Sequence, residues 1–118
     1  MKIVKMLPFL DKEELSELLD SLIKGELKEE NIRISALLPF LEKEQISHLF
    51  ERAVAGEANI RPAAILPFLD EDDYEGIIDS LVENEPETLS LEELLPFLSE
   101  ANIKKVFRLF LEKEKKQE

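Results

Sequence analysis

The tetrapeptide Leu-Pro-Phe-Leu occurs four times, at Leu7–Leu10, Leu38–Leu41, Leu66–Leu69 and Leu95–Leu98, at offsets of 31, 28 and 29 residues. Four copies at near-constant spacing in a chain of 118 residues point to repeat architecture. In such proteins one supersecondary unit cannot bury its apolar face alone and stacks on copies of itself. The copies therefore serve as an internal alignment.

After each tetrapeptide the apolar residues fall in one register. They are Leu15, Leu18, Leu19, Leu22 and Ile23; then Ile46, Leu49, Phe50, Ala53 and Val54; then Tyr74, Ile77, Ile78, Leu81 and Val82; then Ile103, Val106, Phe107, Phe110 and Leu111. The spacing i, i+3, i+4, i+7, i+8 is one face of an α-helix, whereas a strand would alternate. The helix start is written four times as well. Asp11, Glu42, Asp70 or Ser99 stands at the cap, with Glu42 the weakest acceptor, and Glu14, Gln45, Asp73 or Asn102 three residues later. Glu and Gln at that place complete a capping box, and the leucine before each cap has hydrophobic-staple spacing. Gly25, Gly56 and Asn84 predict the ends of the first three helices, since Gly and Asn tolerate the left-handed turn there. The fourth has Lys113 at that place and runs on into the tail.

Ahead of each proline lies a shorter apolar segment: Met1–Leu7, Ile32–Leu38, Ile60–Leu66 and Leu89–Leu95. These read as helices of about two turns, each closed or kinked by the proline, which lacks an amide donor and disfavours helical geometry in the leucine before it. Pro62 suits a first helical turn, and Thr88 or Ser90 is the start of the fourth short helix. The corner phenylalanines (Phe9, Phe40, Phe68, Phe97) are expected to plug the core between neighbouring units.

The expected fold is all-α. Four tandem αα units of short helix, Pro-Phe-Leu corner and long amphipathic helix form one domain over 1–118, with units at about 1–27, 28–57, 58–86 and 87–118, stacked as a small right-handed solenoid or bundle. The pattern resembles the broad class of αα helical repeats such as HEAT and armadillo arrays, with shorter units. More closely it is similar to a short bacterial repeat with an (Ala/Leu)-Pro-Phe-Leu-Asp core, and the likeness spans nearly the whole chain. That resemblance implies an interaction module and carries over no catalytic or binding residue; fold alone does not settle function.

Composition narrows the partner. The net charge is −12, which disfavours nucleic acid and anionic membrane surfaces, both of which call for clustered Lys and Arg. No apolar run approaches the roughly 20 residues of a membrane-spanning helix. The N-terminus is a poor signal peptide, broken by Pro8 and Asp11, so a cytoplasmic location is expected by default. The initial methionine and lysine-rich tail suggest a complete chain. Without cysteine, disulfides, thiolate metal sites and a cysteine nucleophile are excluded. His48, the sole histidine, aligns with Glu17, Gly76 and Lys105 and is expected at the surface. Asp70–Gly76 fails as a calcium loop, because the sixth residue from Asp70 is Glu75 and the twelfth is Leu81, where Gly and Glu are needed. No glycine-rich phosphate loop and no Ser–His–Asp order is present. No catalytic residue, cofactor, metal or small-molecule substrate is therefore expected.

One stretch has functional shape. Residues 62–103 carry 12 acidic residues and no Lys or Arg. On the third long helix, Glu71, Asp72, Glu75, Asp79 and Glu83 fall off the apolar face as an acidic stripe. Such a stripe suits docking of a basic protein surface, or it merely keeps the chain soluble. Leu109 is anomalous because its counterparts Ser21, Arg52 and Ser80 are polar; it either packs locally or belongs to a self-association or partner patch. The expected function is a protein-interaction module, regulatory in character, with an acidic face toward a basic partner. The alternative is a structural, self-oligomerising module with an apolar contact surface.

Overall fold

A computed structural model describes residues 2–27 and 32–116 of the chain. Every regular element among them is helical, and the fold is all-α. A short helical segment precedes each long helix. Along the chain these are the 3₁₀ helix η1 (Ile3–Phe9), α1 (Lys12–Ile23), η2 (Ile34–Phe40), α2 (Lys43–Val54), the pair α3 (Pro62–Ile65) and η3 (Leu66–Phe68), α4 (Glu71–Glu83), the pair α5 (Leu91–Leu94) and η4 (Leu95–Phe97), and α6 (Glu100–Lys116). The segment 28–31, where the second unit is expected to begin, lies outside the described residues.

The start signals act largely as the sequence predicts. Asp11 and Glu14, and Asp70 and Asp73, exchange side-chain to backbone hydrogen bonds across the first turns of α1 and α4. Aspartate thus completes the box at Asp73, where glutamate or glutamine is usual. Gln45 Oε1 accepts from the Glu42 amide at 2.9 Å. Ser90, and not Thr88, caps α5, with Glu93 reciprocating. Pro62 occupies the first turn of α3. Gly25 and Gly56 take φ of 75° and 79°, the left-handed helix ending that only glycine enters without Cβ strain. Asn84 instead leaves α4 extended, at φ −151°.

The corners differ from expectation. Helical geometry runs through the prolines to the phenylalanines, with Pro8 and Pro39 inside η1 and η2. Leu66 and Leu95, each directly before a proline, are helical. The ring's fixed φ fits a 3₁₀ turn, whose bonds span three residues, so the missing amide is lost only at the end of the run. The chain turns at the following leucine, where Leu10, Leu41, Leu69 and Leu98 are extended and each amide donates to the carbonyl of the leucine before proline. The phenylalanines therefore finish the turn on its outer side and are not core plugs. Phe9 is 85% exposed, and Phe40, Phe68 and Phe97 each keep more than a third of their surface in solvent. The leucines before proline fill the core instead at Leu7, Leu38 and Leu66.

Each of the first three long helices packs on the short helix that follows it: α1 on η2, α2 on α3, α4 on α5. The core runs the length of the molecule through Leu37, Leu49, Ile65, Leu66, Ile78, Leu89 and Leu94, all essentially inaccessible. The result is elongated, 61 × 24 × 20 Å. Among the described residues no helix is long and apolar enough to cross a membrane.

Candidate functional site

The long helices are stitched side by side by polar side chains, but not evenly. Between α1 and α2, the buried Gln45 amide donates to the Lys12 carbonyl (2.9 Å) and Ser16 Oγ (2.6 Å). Lys12 reaches Glu42 and Glu44, and Arg52 reaches Asp20. Between α4 and α6, the buried Asn102 amide donates to Glu71 Oε2 at 3.0 Å. Lys105 pairs with Asp79 at 3.2 Å, and Lys113 Nζ donates to the Val82 carbonyl at 3.0 Å. Between α2 and α4 the described residues give only a long Ser47–Asp73 hydrogen bond at 3.4 Å and the Lys43–Asp70 ion pair at the N-terminal ends.

That sparsely bridged joint opens as a groove of about 490 Å³. Its floor is apolar: half-buried Val54 from α2, Ile77 from α4 and Leu69 from the preceding connection lie over the buried Phe50, Leu81 and Leu89. Its rim is acidic, with Glu51 on one side and Asp72 and Asp73 on the other, and no Lys or Arg lines it. Small residues make the room. Ser47, Ser80 and Gly76 line the wall, and a Cβ added at Gly76 would meet no atom within 4 Å. Thr88 closes one end by donating to the Val54 carbonyl at 2.7 Å.

The electrostatics of the rim follow from its partners. At the N-terminal ends of α2 and α4, hydrogen bonding to Asp70 raises the Lys43 pKa above the ordinary lysine value, with the charges of Asp73 and Asp72 adding to the effect. The same bond to Lys43, helped by the Asp73 amide, holds Asp70 below the usual carboxylate range. Asp72 and Glu51 are exposed and make no ion pair among the described residues, so their charge is available to a ligand.

The acidic stripe predicted from sequence is divided by this geometry. All five carboxylates are exposed, but only Asp72 lines the groove. Glu71 and Asp79 turn to α6 and are engaged by Asn102 and Lys105. Glu75 offers its backbone carbonyl to Lys105, and Glu83 stands in solvent at the end of α4. Sequence reasoning missed Glu51 and Asp73 as rim residues. Glu51 lies on another helix, and no spacing within α4 reveals it; the small-residue set Ser47, Gly76 and Ser80 was the readable trace. Leu109 is half-buried against the core. The exposed apolar area of α6 is carried instead by Ile103, Phe107 and Leu111. His48 is exposed, in register with Gly76. Among the described residues no group of three or more His, Asp or Glu is placed to hold a metal ion.

Comparison with known proteins finds no matching family model, no matching curated protein and no matching solved structure.

Proposed function

We propose that this chain is a stacked array of four helix-pair units, and that it serves as a protein-interaction module whose α2–α4 groove receives a basic, amphipathic helical segment of a partner protein. The observation that carries the reading is the pairing of an apolar floor with an acidic rim in one groove that no Lys or Arg lines. An amphipathic helix lays its apolar face into such a groove, and lysines flanking that face meet Glu51, Asp72 and Asp73. The surrounding 42 residues without Lys or Arg (62–103) extend the negative potential that steers such a partner. A binding role without catalysis is favoured by the chain's chemistry: no cysteine, one exposed histidine, and carboxylates open to solvent. A cytoplasmic setting accords with the reading.

The test is binding of a labelled amphipathic Leu/Lys helical peptide, followed by fluorescence anisotropy at rising salt. Affinity falls with salt, because exposed charges are screened. Glu51→Lys with Asp72→Lys reduces it at least tenfold, and Glu75→Lys, outside the groove, has a smaller effect. Gly76→Leu fills the groove and abolishes binding while leaving the fold intact, since the space is open and leucine is the better helix former. Unchanged affinity in Gly76→Leu would overturn the reading.

A further inference from the structure

The two ends of the molecule are the two halves of a joint that its interior makes three times. Inside, the residue two places before each proline is seated against the preceding long helix. Leu37, Ile65 and Leu94 hold that place, each with 0% exposure. Met6 holds it in the first unit, with no long helix before it among the described residues, and is 37% exposed. Phe9 is far more exposed than Phe40, Phe68 or Phe97, and it alone of the four has no preceding unit among the described residues. Cover for both positions therefore comes from the N-terminal side. At the other end the reverse holds. Leu15, Ile46 and Tyr74 are buried, as are Leu19, Phe50 and Ile78, while their counterparts Ile103 and Phe107 are exposed, Phe107 to 64%. Leu95 and Leu111 are exposed beside them. Cover for these positions comes from the following unit, and no unit follows α6 among the described residues.

We propose that the chain binds itself head to tail: the end of one copy carrying Met6 and Phe9 seats on the face of another carrying Leu95, Ile103, Phe107 and Leu111, continuing the interior joint between molecules. The inference rests on the stacked-unit reading but not on the groove.

Charge supports the same register. The residue eight places after each proline is Ser16, Ser47, Glu75 and Lys104. Ser16 meets Gln45, and Ser47 meets Asp73, each six places after the next proline. Continued between copies, Lys104 meets Glu14 of the next copy. The interior pair Asp79–Lys105 translates in the same way to Arg108 with Glu17 of the next copy. Lys104, Arg108 and Glu17 are exposed and make no ion pair among the described residues. One meeting opposes association. Lys12 and Lys43, first residues of their helices, pair with acids at the start of the next long helix; Glu100 in that place faces Asp11 and Glu13 of the next copy. An interface of this kind joins two different surfaces, so it closes into a ring or grows as an open chain.

Sedimentation of the whole chain from micromolar to millimolar concentration tests the proposal, with circular dichroism confirming that each variant stays helical. Wild type grows with concentration beyond twice the monomer mass. Met6→Glu and Phe107→Glu each remain monomeric, because each destroys one half of the joint. Mixed, they form a one-to-one dimer and stop, since one supplies an intact α6 face and the other an intact Met6 end. Glu100→Lys strengthens growth several-fold by restoring the interior pairing. A wild type that stays monomeric throughout, or a dimer that survives Met6→Glu, overturns head-to-tail assembly, the latter in favour of a symmetric α6–α6 contact. Peptide binding in the groove is unaffected by Met6→Glu, and assembly is unaffected by Gly76→Leu, so failure of one proposal is distinguishable from failure of the other.

Discussion

Tyr74 is the clearest case of a single residue doing two jobs. Its ring is buried in the position of an aliphatic residue, and its hydroxyl donates to the Leu66 carbonyl of the preceding corner. Removing the hydroxyl keeps the packing and takes away one of the two donors to that carbonyl, which still accepts from the Leu69 amide, so Tyr74→Phe is expected to cost about 1 kcal/mol in urea denaturation. Burial, with Glu71 and Asp73 nearby, raises the phenol pKa. A raised pKa stabilises the neutral form in the folded state. That contribution is fully present below the ordinary tyrosine range and is lost as pH rises through the raised value. Stability of the wild type should therefore fall steeply above about pH 10, and the fall should be shallower in Tyr74→Phe. An identical alkaline profile in both would refute the assignment.

Among the elements, the short helices decide the core. They are too short to be stable alone, yet Leu37, Ile65 and Leu94 from them are among the most deeply buried side chains. Leu94→Ala removes a side chain with no room to collapse around it, and a loss of roughly 2–5 kcal/mol is expected. Met6→Ala, at the same register in η1, is expected to cost less than about 1 kcal/mol, since its side chain is partly solvated before truncation. Chemical denaturation of both at low protein concentration checks this; equal losses would mean that the first unit is covered after all. Proline marks these elements without ending them, because a 3₁₀ turn accommodates what an α-helix interior would reject.

For the whole molecule, the consequence of the helix arrangement is length. The radius of gyration is 16.7 Å, where a compact domain of this size has about 13–14 Å. Small-angle scattering of Met6→Glu, the variant expected to stay monomeric, should give close to the larger value, and a result near the smaller one would refute the extended arrangement. An elongated chain has two ends and a long side, and the exposed surfaces follow that division. The side carries the acid-rimmed groove, and the ends carry Met6 and Phe9 opposite Phe107 and Leu111.

The all-helical class, the places of the long helices and most of their caps were legible in the sequence, because each depends on residues within one or two turns of each other. Periodicity, a cap and a glycine suffice for that, as Asp11, Glu14 and Gly25 illustrate. Identical letters did not have identical fates, however. Leu19 and Phe107 occupy the same register, yet one is buried and the other open, because α1 packs on the short helix that follows it and α6 has no such helix after it among the described residues. The corner phenylalanines read as core on composition and are placed outside by a turn that continues through proline. The acidic stripe was legible as charge along α4, but its division between a groove and the α6 contact was not. That division is set by what each side of α4 faces: Asn102 and Lys105 of α6 engage Glu71 and Asp79, while Ser47, Gly76 and Ser80 leave room beside Asp72. Local spacing determined the helices; what neighbours each face acquires was decided only by tertiary structure, since exposure is a property of the pair of surfaces and not of either one.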